Sequence, residues 1–144
     1  MTDAIIPTTR ISTIQIRRRA VCVMTAVAAG ALTWVVAVPL VGVHLVVEPA
    51  EDRTQDVGLG MVIATTLMAS VAGWGLLALL ERITPLRART TWTLVAGGVL
   101  IVSLAGPLTA ASDTAAVTTL MLLHLVVGLV LMIGMRHSTD GTAA

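Results

Sequence analysis

Four long apolar segments constrain the fold of this chain more than any other feature of its sequence. They cover about residues 20–47, 58–80, 91–108 and 115–135. A transmembrane helix needs roughly 20 such residues to cross about 30 Å of hydrocarbon. The 144 residues are 56% hydrophobic and only 12% charged, and a soluble core of this size cannot bury so much apolar surface. We therefore predict an all-α fold, an integral membrane bundle of four antiparallel transmembrane helices.

The distribution of arginine predicts which side of the membrane each loop faces. All nine basic residues are arginines, and only Arg53 lies in the acidic first loop. Short loops rich in arginine remain in the cytoplasm, so both termini and the second loop are expected there. We predict a flexible cytoplasmic tail over residues 1–19, a transmembrane domain over residues 20–137 and a short cytoplasmic tail over residues 138–144. The expected location is the plasma membrane of a bacterium.

Each predicted helix brings a polar side chain to about the same depth in the membrane. His124 lies near the middle of the fourth segment, with Thr33, Trp34 and Ser70 at a similar depth and Ser103 slightly further out. An ionisable residue at this depth is costly unless it finds a partner. In one interpretation, a neutral His124 ties helices together through the hydroxyls of Ser70 or Ser103. In the other, His124 is a proton carrier or a ligand-binding group.

A second group of polar residues lies at the predicted outer boundary. His44 and Glu48 are four residues apart, so both project from one helix face if the first helix continues to them. An imidazole with the nearby carboxylates could hold a divalent cation, but a hydrated acidic loop explains the same residues. Cys22 is the only cysteine, which excludes an internal disulfide. We predict no metal centre and no cofactor, with His44 and Glu48 as the residues nearest to a metal site.

Three apolar stretches carry a resemblance to a known family. They are VGLGMVIATTLMASVAGWGLLALLER, TWTLVAGGVLIVSLAGPLTAA and HLVVGLVLMIGMRH. The chain resembles, over about residues 17–137, a family of small actinobacterial four-helix membrane proteins that is catalogued as a domain of unknown function. The resemblance implies the four-helix architecture, and it implies no activity, substrate or catalytic residue.

Small residues spaced four apart suggest how the helices associate. Ala69 with Gly73, and Gly60 with Ala64, are pairs that let helix backbones approach closely. We expect a non-catalytic structural or accessory membrane protein that acts through helix–helix contacts, with itself or in a larger membrane complex. The alternative is a transporter or ligand-binding module that uses the polar layer around His124. The sequence contains no motif of a hydrolase, metalloprotease or nucleotide site, so we expect no enzyme. The expected partners are membrane lipids and not nucleic acid.

Overall fold

The described part of the chain is mostly helical. The computed structural model describes residues 13–50, 53–111 and 113–137, so the two predicted terminal tails lie largely outside the described residues. Four helical segments are long and apolar enough to cross a membrane, which confirms the predicted number. These are Gln15–Leu40, Leu59–Ile83, Ala88–Ala110 and Thr114–Arg136.

The secondary-structure elements divide these segments further. In chain order they are α1 (Thr13–Val35), a π-helical turn (Val36–Leu40), β1 (Val46–Ala50), β2 (Arg53–Asp56), α2 (Leu59–Ile83), α3 (Ala88–Ser103), α4 (Ala105–Ala110) and α5 (Thr114–His137).

The first helix begins earlier than predicted. It starts at Thr13, whereas the sequence analysis placed residues 13–19 in a flexible tail. Arginine is a good helix former, and Arg17 and Arg18 are exposed on the first turns of α1. Arg19 is only 2% exposed, so this part of the chain is packed against the rest of the protein. The predicted tail therefore extends too far into the chain.

The first helix also ends earlier than predicted, and Pro39 and Gly42 explain why. Pro39 has no N–H to donate and its ring crowds the preceding turn. The helix widens around it into a π-helical turn, in which the N–H of Val41 donates to the carbonyl of Val36 at 3.0 Å. Gly42 then adopts a φ of 81°, a left-handed conformation that ends the helix. Residues 41–47, predicted to be helical, form a turn and the start of a strand.

The acidic first loop contains a β-hairpin, β1 and β2, which the sequence analysis did not predict. β1 and β2 pair antiparallel, with Val46 opposite Asp56 and Val47 opposite Gln55. A bridge between Val47 and Ala111 connects the hairpin to the end of α4. The all-α prediction is correct for the four long helical segments and missed this two-stranded element.

The third apolar segment is interrupted at Leu104, between α3 and α4. The interruption lies two residues before the Gly106–Pro107 pair. A proline ring clashes with the carbonyl four residues before it, which for Pro107 is that of Ser103, the last residue of α3. Pro107 itself sits buried within the first turn of α4. The chain is helical again to Ala110, two residues beyond the predicted end of the segment.

Glycines allow α1 and α3 to approach α5 closely. A Cβ on Gly134 would overlap Sγ of Cys22 from α1, and a Cβ on Gly128 would come within 2.6 Å of a methyl carbon of Leu100 from α3. Two apolar clusters lie at the opposite ends of these helices. The first contains Cys22, Val23, Leu77, Trp92 and Met135, and the second contains Leu45, Val62, Ala116, Leu120 and Leu123.

Candidate ligand cavity

A cavity of about 670 Å³ lies between α2, α3 and α5. Trp92 and Met135 of the first apolar cluster line it, and so do Leu120 and Leu123 of the second. None of the described residues of α1 contributes to its wall. The volume falls within the range of about 300–1,000 Å³ that is usual for sites that bind small organic molecules. The cavity is therefore large enough to hold one.

The wall of the cavity is almost entirely apolar. None of the described residues that line it is an aspartate, glutamate, lysine or arginine. Ala69 and Gly73, whose spacing suggested a helix contact, both line the cavity, and the carbonyl of Gly73 accepts the indole N–H of Trp92 from α3 at 2.9 Å. The lining residues with a polar side-chain atom are Thr65, Thr66, Ser70, Trp92, Ser103 and His124.

Most of these polar groups already have hydrogen-bond partners within the protein. The hydroxyl of Ser70 donates to the carbonyl of Thr66 at 2.7 Å. The hydroxyl of Ser103 donates to the carbonyl of Leu100, also at 2.7 Å. The hydrogen bonds predicted from His124 to these two hydroxyls are therefore not formed. Serine hydroxyls in helices are within reach of a carbonyl of the preceding turn, and in hydrocarbon that carbonyl is the nearest acceptor.

His124 differs because only one of its two ring nitrogens has a partner. Nδ1 lies 2.7 Å from the carbonyl oxygen of Leu120, one turn earlier in α5. A carbonyl oxygen only accepts, so Nδ1 carries the hydrogen. A neutral imidazole then has its acceptor at Nε2, and Nε2 has no hydrogen-bond partner among the described residues.

Two residues predicted for the same polar layer lie away from the cavity. Thr33 donates its hydroxyl to the carbonyl of Ala29 at 2.8 Å, within α1. Trp34 donates its indole N–H to the carbonyl of Val57 at 2.7 Å and packs against the second apolar cluster. The structure thus brings together His124, Ser70 and Ser103 around one cavity, and it places Thr33 and Trp34 outside it.

The condition under which His44 and Glu48 would share one helix face, that the first helix continues to them, is not met. The helix ends before either residue, so His44 lies in the extended segment that precedes β1 and Glu48 lies in β1 itself. Both side chains are exposed, and they do not share a helix face. Across the described ranges, no three His, Cys, Asp or Glu side chains are grouped closely enough to hold a metal ion.

The sequence analysis missed one buried charged residue. Arg19 forms an ion pair with Glu81 from α2, and its Nε is buried without a hydrogen-bond partner. A usable signal was present, because an arginine before the first apolar segment and a glutamate after the second are expected at the same membrane face. This pair lies outside the cavity.

Comparison with known proteins gives a family and no relative of known function. Residues 11–141 match a family of unknown function, DUF6069. No curated protein matches the chain. No solved structure matches it either.

Proposed function

We propose that this chain, which belongs to the DUF6069 family of unknown function, is a bacterial membrane protein that binds an apolar molecule between its helices. The observation that carries the proposal is the cavity of about 670 Å³ between α2, α3 and α5. Its apolar wall favours a ligand that is itself largely apolar, because burial of apolar surface drives such binding. Of the two functions that the sequence suggested, the cavity favours the ligand-binding module.

The proposed topology has four antiparallel transmembrane helices with both termini in the cytoplasm. Contacts between helix ends support it: Arg19 near the start of α1 pairs with Glu81 near the end of α2. Cys22 in α1 lies against Gly134 near the end of α5. The arginine-rich start of α1, Arg136 near the end of α5, and the loop between α2 and α3 then lie on the side of the plasma membrane where short basic loops remain.

The proposed role is non-catalytic. His124 is the one ionisable side chain in the wall formed by the described residues, and general acid–base or nucleophilic chemistry normally needs a second group that orients or activates the first. A role in a homo-oligomer or a larger membrane complex, with lipids as the surrounding partners, stays a prediction. Several of the small residues are used for contacts within the chain, as Gly30 is beside Val127.

The proposal can be tested by filling the cavity. Purified protein in phospholipid vesicles is exposed to an alkyl diazirine, irradiated, and mapped by mass spectrometry. We expect labelling of cavity residues to saturate at a low probe concentration, and labelling of the exposed side chains Ile101 and Val102 on α3 to rise linearly. Ala69→Leu places a larger side chain in the cavity wall and should raise the probe concentration at which the saturable labelling is half complete.

Ala64→Leu is the matched control for this experiment. Ala64 lies on the same helix and is exposed, but it does not line the cavity. The same substitution there should leave the saturable labelling unchanged. Cavity labelling that never saturates, or that saturates at the same probe concentration in Ala69→Leu as in the wild type, would contradict the proposed function.

A further inference from the structure

We infer that the ligand of this cavity is a neutral, apolar molecule with a single hydroxyl group, which donates a hydrogen bond to Nε2 of His124. This inference rests on the proposed function and specifies the class of ligand. A long-chain alcohol is the simplest member of that class. The argument depends on the protonation of the His124 ring, on the other polar groups in the wall, and on the absence of charge in it.

The hydrogen bond to Leu120 determines which ring nitrogen of His124 remains as a hydrogen-bond acceptor for a ligand. Nδ1 must donate, since its partner at 2.7 Å is a carbonyl oxygen. A charged imidazolium would place an unpaired charge within a membrane-spanning helix, which is unfavourable. The neutral ring has its lone pair at Nε2. A ligand therefore meets an acceptor at this position and not a donor.

None of the four wall hydroxyls, on Thr65, Thr66, Ser70 and Ser103, bonds to Nε2 of His124, and three of the four donate to backbone carbonyls instead. Those of Ser70 and Ser103 donate to backbone carbonyls of their own helices, and Thr65 donates to the carbonyl of Met61 at 2.8 Å. Burying an acceptor without a hydrogen-bond donor is unfavourable. A ligand hydroxyl beside Nε2 would remove that penalty, because the partial positive charge on the hydroxyl hydrogen complements the lone pair of Nε2.

The uncharged wall restricts the ligand further. None of the described lining residues is an arginine or a lysine, so a fatty acid carboxylate or a phosphate group would be buried without a counter-charge. A pure hydrocarbon or a phospholipid acyl chain would fill the volume but leave Nε2 unpaired. The charge complementarity of the site thus selects a neutral hydroxyl compound over anions and over simple lipid chains.

The experiment compares three photoactivatable probes of the same chain length on the full chain in phospholipid vesicles. They are a long-chain alcohol, its methyl ether and the corresponding fatty acid, each with a diazirine. We expect the alcohol to reach half-saturation of cavity labelling at a concentration about five- to tenfold lower than the ether does, since one hydrogen bond separates them. The fatty acid should bind more weakly than the alcohol.

Variants of His124 assign the preference to its ring. His124→Leu should bring the alcohol to the level of the ether and leave the ether unchanged, whereas His124→Gln, which restores an acceptor, should recover part of the preference. Equal labelling of the wild-type cavity by alcohol and ether would overturn the inference, and it would leave the proposed function standing with lipid chains as occupants. That comparison needs no variant, so a poorly folded His124→Leu would not prevent the decision. Absence of saturable labelling by every probe would instead overturn the proposed function.

Discussion

Arg19 near the start of α1 forms an ion pair with Glu81 near the end of α2, although 62 residues separate them in the sequence. The side chain of Arg19 is 3% exposed and that of Glu81 is 33% exposed. The guanidinium has therefore lost nearly all of its contact with solvent, while the carboxylate is still partly accessible. A desolvated guanidinium depends on its partner, so this pair joins two helices at one end of the bundle.

Removing either member of the pair should destabilise the protein. In Glu81→Gln the buried Arg19 charge loses its partner, and breaking a buried ion pair costs about 3–5 kcal/mol. We expect a loss of about 3 kcal/mol in the free energy of unfolding in detergent, because Glu81 keeps some solvent contact. Arg18→Gln is the control, since Arg18 is exposed on the same helix and should change stability by less than about 0.5 kcal/mol.

Substituting both members separates the ion pair from other effects. The double variant Arg19→Gln with Glu81→Gln removes both charges, so its cost should be smaller than the sum of the two single costs. Additive costs would show that the two side chains contribute independently and that the pair does not couple the helices.

The close contact between Gly134 and Cys22 predicts that a larger residue in place of Gly134 destabilises the protein, and that a smaller residue in place of Cys22 relieves the effect. Gly134→Ala would place a methyl group on Sγ of Cys22 and within 3.1 Å of its Cβ, so α1 and α5 would have to move apart. We expect a loss of about 1–3 kcal/mol in the same unfolding measurement. Cys22→Ala, which removes the sulfur, should recover part of that loss when combined with Gly134→Ala.

Gly98→Ala provides the matched control on α3. No atom lies within 4 Å of a Cβ built there, and alanine is the better helix former. Its stability should be unchanged or slightly higher. A similar loss in Gly98→Ala and Gly134→Ala would mean that close approach to α1 does not explain the effect.

The four candidate membrane spans were predictable because the length and hydropathy that make a helix able to cross a membrane are local to each segment. The ends were less predictable. The segment after Pro39 is rich in valine, which suits a strand as well as a buried helix, and the backbone of Gly42 settles the outcome. The pairing of β1 with β2 depends on contacts that no single segment specifies.

The candidate site was only partly predictable for a related reason. Depth along a helix follows from counting residues, and three of the residues placed at a similar depth, His124, Ser70 and Ser103, line one cavity. The direction of each side chain does not follow from counting, so Thr33 and Trp34 were grouped with them although they lie elsewhere. The hydrogen bonds were mispredicted because each hydroxyl has a carbonyl of its own helix within 2.7 Å, which is closer than any partner on another helix.

Two tryptophans, Trp34 and Trp92, provide a direct test of which residues lie in the cavity wall and which lie outside it. Both donate the indole N–H to a backbone carbonyl, Trp34 to Val57 at 2.7 Å and Trp92 to Gly73 at 2.9 Å. Only Trp92 lines the cavity. Trp34→Phe and Trp92→Phe should each lower stability by about 0.5–1.5 kcal/mol through the lost hydrogen bond, with some further loss of packing.

The effects of the two substitutions on ligand binding should differ. Trp92→Phe replaces a wall side chain by a smaller one and so enlarges the cavity. The half-saturating concentration of the alcohol probe should change at least about threefold, as expected for a lost contact between ligand and wall. Trp34→Phe should leave it unchanged. Equal changes in both variants would place Trp34 at the binding site and contradict the geometry described above.

The proposed topology predicts opposite labelling of the hairpin and of the loop between α2 and α3. Thr54 in β2 and Leu86 before α3 are both exposed, so a cysteine at either position is open to reagents. The natural Cys22 is buried at 7% exposure and is replaced by alanine to remove background labelling. On intact cells, a membrane-impermeant maleimide should modify Thr54→Cys and spare Leu86→Cys until the membrane is permeabilised. The reverse pattern would show that the bundle has the opposite orientation, and labelling of both positions on intact cells would show that α2 does not cross the membrane.

The arginines of the loop between α2 and α3 should hold this loop in the cytoplasm, because short arginine-rich loops remain there. Replacement of Arg82, Arg87 and Arg89 by glutamine should therefore increase the labelling of Leu86→Cys from outside.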